Sequence, residues 1–173
     1  MRRLLLSASL ALLFAPVPAL AQAETGAQEV VASSSGDTFN ISAVNELLAQ
    51  GDAEAASGDL TAAIDSYDKA RNAARSLLSF YRDLSGAFRG LDARIPRAMD
   101  AKGREAIQKL AAANLRLAAA YRRENQAEVA VPLLVEVIKL MTPAKPQGRQ
   151  AYQSLIELGF VETEFRASTP AGN

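Results

Sequence analysis

The sequence predicts an all-α protein of about five helices. Alanine and leucine are abundant, β-branched residues seldom occur in runs, and apolar residues recur every third or fourth position through most of residues 41–160. A helix-turn-helix junction is visible at Gly58-Asp59-Leu60, where a glycine suits the end of one helix and an aspartate caps the next. These observations predict paired helices that bury facing apolar stripes.

The first helix is expected to run from about Ala43 to Ser57. Ser42 is its predicted N-cap, and Glu46 lies in the first turn, where a negative side chain suits the positive end of the helix. Gly51 lies inside this helix, although glycine costs about 1 kcal/mol relative to alanine there. We therefore predict that another helix approaches closely at Gly51.

Two long helices are expected to form a central antiparallel hairpin. Helix two begins near Leu60, and no glycine or proline interrupts its pattern before Gly86, which predicts roughly 26 residues and about 40 Å. The stretch 86–96 contains two glycines and a proline and must turn the chain. Pro96 suits the first turn of helix three, which is expected to continue for about 28 residues. The side chains predicted at the far end of the hairpin are Tyr81, Phe88, Met99 and Ile107.

Two shorter helices complete the predicted domain, residues 41–160. Helix four is expected to begin near Glu128 or Val129, because Pro132 is then close to the turn whose N–H groups have no helical partner. Its end is expected just before Pro143. A fifth helix, with one polar face that suits a terminal capping helix, is predicted from Pro146.

The junction between the first two helices resembles the tetratricopeptide repeat, a family in which small residues mark the positions where paired helices touch. Leu134, 67 residues after Tyr67, occupies the equivalent position of a second unit, close to two repeats of about 34 residues. The resemblance implies a short α-solenoid that acts as a protein-binding scaffold. The matching residues of the first unit are Gly51, Gly58, Leu60, Ala63, Ile64, Tyr67 and Ala70.

A second resemblance lies in Tyr81-Arg82-Asp83-Leu84 and the run from there to Pro96, which is similar to an uncharacterised exported family of photosynthetic bacteria. It implies a thylakoid-lumen address if the source is photosynthetic. It implies no activity and no particular binding residue.

The two ends of the chain are expected to lie outside the helical domain. Residues 1–21 have a basic head, an apolar run too short for a membrane span and a small-x-small pattern, all typical of a cleaved secretory signal peptide. Cleavage would follow Ala21 or Ala23; an uncleaved anchor is the alternative. Residues 22–40 are predicted to be a flexible leader and residues 161–173 a mobile tail. The protein is therefore expected to be periplasmic or secreted, without an integral membrane span after cleavage.

Charge is segregated along the chain although the formal net charge is zero. Residues 22–68 contain nine acids and no lysine or arginine, whereas residues 69–123 contain thirteen basic residues against four acids. The acidic first helix can pair with the basic middle of the chain, or the basic middle can bind an acidic protein or peptide. After signal cleavage the chain is slightly acidic, which makes nucleic acid a poor partner.

The residue inventory disfavours an enzyme. The chain has no histidine and no cysteine, which removes the commonest general base, the thiol nucleophile and the usual zinc ligands. Asp65 and Asp68 lie near Lys69 on one helix, a spacing more typical of a hydrated helix surface than of a catalytic pair. We therefore predict no catalytic residue, no metal and no cofactor.

Two surfaces are candidates for binding a protein. The first is the hairpin tip, where an arginine-rich, partly apolar platform would accept an acidic peptide or phosphate; the alternative is that Asp92 caps the turn, the other acids pair with neighbouring arginines, and the tip is solvated. The tip would let the protein dock as a structural subunit of a larger complex. Its predicted residues are Phe88, Arg89, Arg94, Ile95 and Arg97.

The second candidate is the groove of a scaffold that holds a peptide or protein subunit. In the tetratricopeptide family the first helix of each unit lines this groove, which implies Asn45 from the first unit and Arg122 and Arg123 from the last. The alternative for the two arginines is the solvated end of a helix, where cations are favoured. The resemblance therefore predicts an assembly scaffold, with docking through the tip as its alternative.

Overall fold

The computed structural model describes residues 39–166, and all the regular secondary structure in that range is helical. Within these residues, the prediction of an all-α fold of about five helices is confirmed. The predicted signal peptide, the leader up to residue 38 and the tail from residue 167 lie outside the described residues. The helices are α1 (Ile41–Ser57), α2 (Leu60–Ala87), α3 (Arg94–Arg123), α4 (Ala127–Met141) and α5 (Pro146–Glu157).

The start of α1 differs from the prediction because Asn40, not Ser42, caps it. The Asn40 side chain accepts a hydrogen bond from the backbone N–H of Ala43 at 2.8 Å. The Ser42 hydroxyl instead donates to the Glu46 carboxylate at 3.2 Å. Asparagine and serine are equally good caps, so two neighbouring candidates could not be separated by residue type alone.

The junction of α1 and α2 forms as predicted. Gly58 has a φ of 93°, and its backbone N–H and that of Asp59 donate to the carbonyl groups of Ala55 and Glu54, which closes α1. The Asp59 carboxylate then accepts a hydrogen bond from the backbone N–H of Ala62 at 3.0 Å and opens α2. The close approach predicted at Gly51 is also present, because a Cβ there would lie only 2.5 Å from Cε1 of Tyr67.

The long hairpin consists of α2, with 28 residues, and α3, with 30 residues. At 1.5 Å per residue both helices exceed about 40 Å, as predicted. Pro96 lies in the first turn of α3, although the helix starts two residues earlier, at Arg94. Near the far end the Ser85 hydroxyl donates to Asp100 at 2.7 Å and joins the two arms.

The connection from α3 to α4 uses an asparagine where a small residue would be usual. Asn125 has a φ of 60°, a conformation that asparagine tolerates better than other residues with a side chain. The helix α4 begins at Ala127, before the predicted start, so that Pro132 lies inside it. The carbonyl of Glu128 consequently lacks its usual N–H donor.

Helix α3 lies at the centre of the domain. It packs against α2 and α4, its neighbours in the chain, and also contacts α1 and α5. Its alanines allow close packing, while leucines from several helices fill the remaining space. The largest fully buried apolar side chains are Val44, Leu77, Leu110, Leu117, Leu134 and Val137.

Candidate functional site

The tip of the hairpin is the turn of residues 88–93, and Asp92 organises it. The Asp92 carboxylate accepts a hydrogen bond from the backbone N–H of Arg94 at 2.9 Å and lies 2.7 Å from the guanidinium of the same residue. Hydrogen bonding to this guanidinium holds the pKa of the Asp92 carboxyl below its ordinary value. Gly90, with a φ of 87°, completes the turn. Asp92 therefore caps the turn, and Arg94 is engaged by it.

Three arginines of the turn and of the first part of α3 are not engaged. Arg89, Arg97 and Arg104 are exposed, and none of them forms an ion pair or side-chain hydrogen bond within residues 39–166. Together with Asp100 they line a depression of about 370 Å³, which we call the tip cleft. Its lining carries three guanidinium groups and one carboxylate, so the formal charge of the tip cleft is positive even though Asp100 keeps its negative charge.

A second depression of about 250 Å³ adjoins the tip cleft, since Asp100 and Arg104 line both. We call it the apolar cleft. Leu78 and Tyr81 of α2 form one side, and residues of α3 form the other. The residues that line it, besides the two shared ones, are Leu78, Tyr81, Arg82, Met99, Gly103 and Ile107.

The structure places all five residues predicted at the tip within or next to the turn: Phe88, Arg89, Arg94, Ile95 and Arg97. Phe88 and Ile95, the predicted apolar anchors, are only half-buried, whereas the three arginines are exposed. Arg104 was not predicted. It follows Arg97 by seven residues on α3, which places both side chains on one face of the helix. That spacing is the signal that could have identified it.

The residues predicted for the groove do not form one cluster. Arg122 lies 3.1 Å from the carboxylate of Glu157, and Arg123 donates to the backbone carbonyl of Ala55 at 3.2 Å. Asn45 is exposed on α1, ten residues before Ala55 and therefore about 15 Å away along the helix. Both groove arginines are thus engaged by the chain itself.

Asp52 connects three helices and shows that acidic α1 pairs with basic α3. Its carboxylate accepts hydrogen bonds from Arg116 at 2.8 and 3.0 Å and from the Tyr67 hydroxyl at 2.7 Å. The Arg116 guanidinium holds the pKa of the Asp52 carboxyl below its ordinary value. Burial, together with the hydrogen bond to Asp52, raises the pKa of Tyr67 to about 12.

The raised pKa of Tyr67 predicts a loss of stability at alkaline pH. The neutral hydroxyl is favoured in the folded state, so its contribution is complete below the ordinary pKa of 10 and is lost as pH rises through about 12. Over that interval the free energy of unfolding of the natural chain should fall faster than that of Tyr67→Phe, by up to about 1.4 kcal/mol per pH unit. Urea unfolding at several pH values would measure both slopes, and parallel slopes would contradict the assignment.

The acids considered for catalysis lie on the solvent-facing side of α2. Asp65 forms an ion pair with Lys69 at 2.5 Å, and Asp68 accepts a hydrogen bond from Asn72 at 3.0 Å. Both partners lie one helical turn away, the arrangement of an ordinary hydrated surface. In the part of the chain that the structure describes, no group of three acidic side chains could hold a metal ion.

The fold and the site together define a class: an all-helical protein whose central hairpin exposes an arginine-lined cleft. Comparisons with protein-family models, curated proteins and solved structures give no match to this chain. Among the five helices of residues 39–166, none is long and apolar enough to cross a membrane.

Proposed function

We propose that the protein is a non-catalytic interaction module that docks an acidic protein partner through the tip cleft. The observation that carries the proposal is the set of three exposed arginines, Arg89, Arg97 and Arg104, which surround one depression and have no partner among the described residues. A guanidinium presents a planar fork of donors that matches a carboxylate, so a cluster of free arginines suits an acidic surface. Residues 1–21 support an exported compartment as the place where this partner is met.

The helix arrangement supports a tetratricopeptide-like module. Helices α1 and α2 pair, α3 and α4 pair, and α1 contacts α3, as stacked helical hairpins would. The far end of the long hairpin extends beyond these stacked pairs. The ring of Phe39, just before α1, packs against Phe80 with 5.6 Å between the ring centroids, so α1 begins beside Phe80 and does not cover the end of α2. Among the described helices, the last part of α2 has only α3 beside it.

The tip suits a partner better than the predicted groove does. Arg122 and Arg123 would have to give up Glu157 and the Ala55 carbonyl before they could bind a carboxylate. The tip arginines would lose only hydration. We therefore place docking through the tip ahead of a peptide held in the groove.

The test is capture of the partner by the tagged chain from its native exported fraction. Arg89→Glu with Arg97→Glu should reduce the captured amount at least tenfold, and high salt should do the same, because exposed charge pairs are screened. The matched control is Lys139→Glu with Lys145→Glu, which makes the same change in net charge on exposed residues of α4 and the following turn.

The outcomes separate the two surfaces. If the tip variant no longer captures the partner while the lysine control still does, docking through the tip cleft is supported. If Arg122→Glu with Arg123→Glu abolishes capture while the tip variant still captures the partner, docking through the tip is overturned in favour of the predicted groove. Equal loss with the lysine control would show that net charge, rather than a surface, determines capture.

A further inference from the structure

The tip cleft and the apolar cleft adjoin each other on the hairpin. Asp100 and Arg104 line both and therefore lie at their common boundary. The tip cleft carries the charges of Arg89 and Arg97, whereas the apolar cleft is lined mainly by apolar side chains of α2 and α3, together with Arg82. A partner that fills both clefts must therefore offer both negative charge and apolar surface.

The apolar cleft is suited to a single aliphatic side chain. Its volume of about 250 Å³ lies below the roughly 300–1,000 Å³ of typical small-molecule sites. Leu78 and Tyr81 are buried, whereas Met99 and Ile107 are half-buried and still open to solvent. Methionine adapts its shape to what it contacts, and burying it against an aliphatic group is favourable.

Gly103 helps to form the apolar cleft. A Cβ at this position would lie 3.8 Å from Cβ of Tyr81 and 4.0 Å from Cδ1 of Leu78, which are ordinary contact distances. Alanine therefore fits at Gly103 without disturbing the hairpin, and its methyl group would occupy part of the space beside Tyr81.

The combined length of the tip cleft and the apolar cleft matches a short linear segment of a partner chain. From Arg97 to Ile107 the helix α3 advances about 15 Å at 1.5 Å per residue. An extended peptide covers that distance with about five residues at roughly 3.3 Å each. Carboxylates at one end of such a segment would lie over the tip cleft, and an aliphatic side chain at the other end would lie over the apolar cleft.

We propose that the docking element of the partner is a short acidic peptide segment in which an aliphatic side chain follows or precedes the carboxylates by a few residues. The carboxylates bind Arg89, Arg97 and Arg104, and the aliphatic side chain inserts between Leu78 and Met99. The inference rests on the proposed function, since it specifies what the tip cleft recognises. Charge alone would attract any acidic surface; the apolar cleft selects among them.

The probes are two dye-labelled peptides, Glu-Glu-Ala-Ala-Leu and Glu-Glu-Ala-Ala-Ala, together with their reversed sequences, titrated with the full chain by fluorescence anisotropy. The leucine peptide of one orientation should bind about tenfold more tightly than its alanine counterpart, because a leucine side chain leaves water. Arg89→Glu with Arg97→Glu should weaken all the peptides, whereas Gly103→Ala should reduce only the advantage of leucine.

Met99→Lys provides the decisive variant, because it adds positive charge while it removes apolar surface. It should bind the leucine peptide more weakly than the natural chain does, since the aliphatic contact is lost. Tighter binding of both acidic peptides by Met99→Lys, equal binding of leucine and alanine peptides, or no binding of any peptide would each overturn the inference. None of these outcomes affects the proposed function, which is tested separately by capture of the partner protein with the tip variant and its lysine control.

Discussion

Replacing Gly148 by alanine is expected to lower the free energy of unfolding by about 2–4 kcal/mol. Gly148 is buried in the first turn of α5, and a Cβ there would overlap the backbone carbonyl of Thr142. The carbonyl belongs to a β-branched residue that already has a φ of 56°, so the turn has little freedom to move away. The first turn of α5 would have to separate from the end of α4, which would loosen the packing of Ala151 and Leu155.

The sign of this effect is opposite to what helix propensity alone predicts. Alanine is favoured over glycine inside a helix by up to about 1 kcal/mol. Gly86→Ala provides the control, because Gly86 lies within α2 and a Cβ there would have no neighbour within 4 Å. Urea unfolding followed by circular dichroism should show Gly86→Ala as slightly more stable than the natural chain and Gly148→Ala as clearly less stable. Equal stabilisation by both would contradict the contact with Thr142.

The helices were predictable because their signals are local. Apolar spacing, the cap at Asp59 and the glycine at position 58 are read within a few residues, and each was found where predicted. Where two signals competed, as at Asn40 and Ser42, residue type alone did not determine which of them caps the helix. The contact at Gly148 could not be predicted, because it depends on the unusual conformation of Thr142, which no periodic pattern indicates.

The candidate site was predictable as a region but not as a set of free side chains. The arginines of the tip lie close together in the sequence, so their clustering follows from a single turn. Which of them remain free depends on pairing: Arg94 meets Asp92 two residues away, whereas Arg122 meets Glu157 across the fold. The turn cap formed by Asp92 was expected as an alternative, but its ion pair with Arg94 was not, and the pairing of Arg122 requires knowing how α5 packs.

Replacing Gly51 by alanine is expected to lower the free energy of unfolding by about 1–3 kcal/mol. The new methyl group would lie 2.5 Å from Cε1 of Tyr67, whose ring is buried and whose hydroxyl is held by Asp52. The ring must therefore shift, and the shift would also weaken the contact between Asp52 and its second partner, Arg116. The tip cleft lies at the other end of α2, so peptide binding should be unchanged while the variant remains folded.

A double-mutant cycle with Tyr67→Leu isolates the cause of the Gly51→Ala effect. If the tyrosine ring is what the methyl group displaces, Gly51→Ala should cost clearly less in the Tyr67→Leu background than in the natural chain, with a coupling energy of about 1 kcal/mol or more. Urea unfolding of the four chains measures it. Additive effects would show that the two residues are not in contact, and would contradict the close approach of α1 and α2 at Gly51.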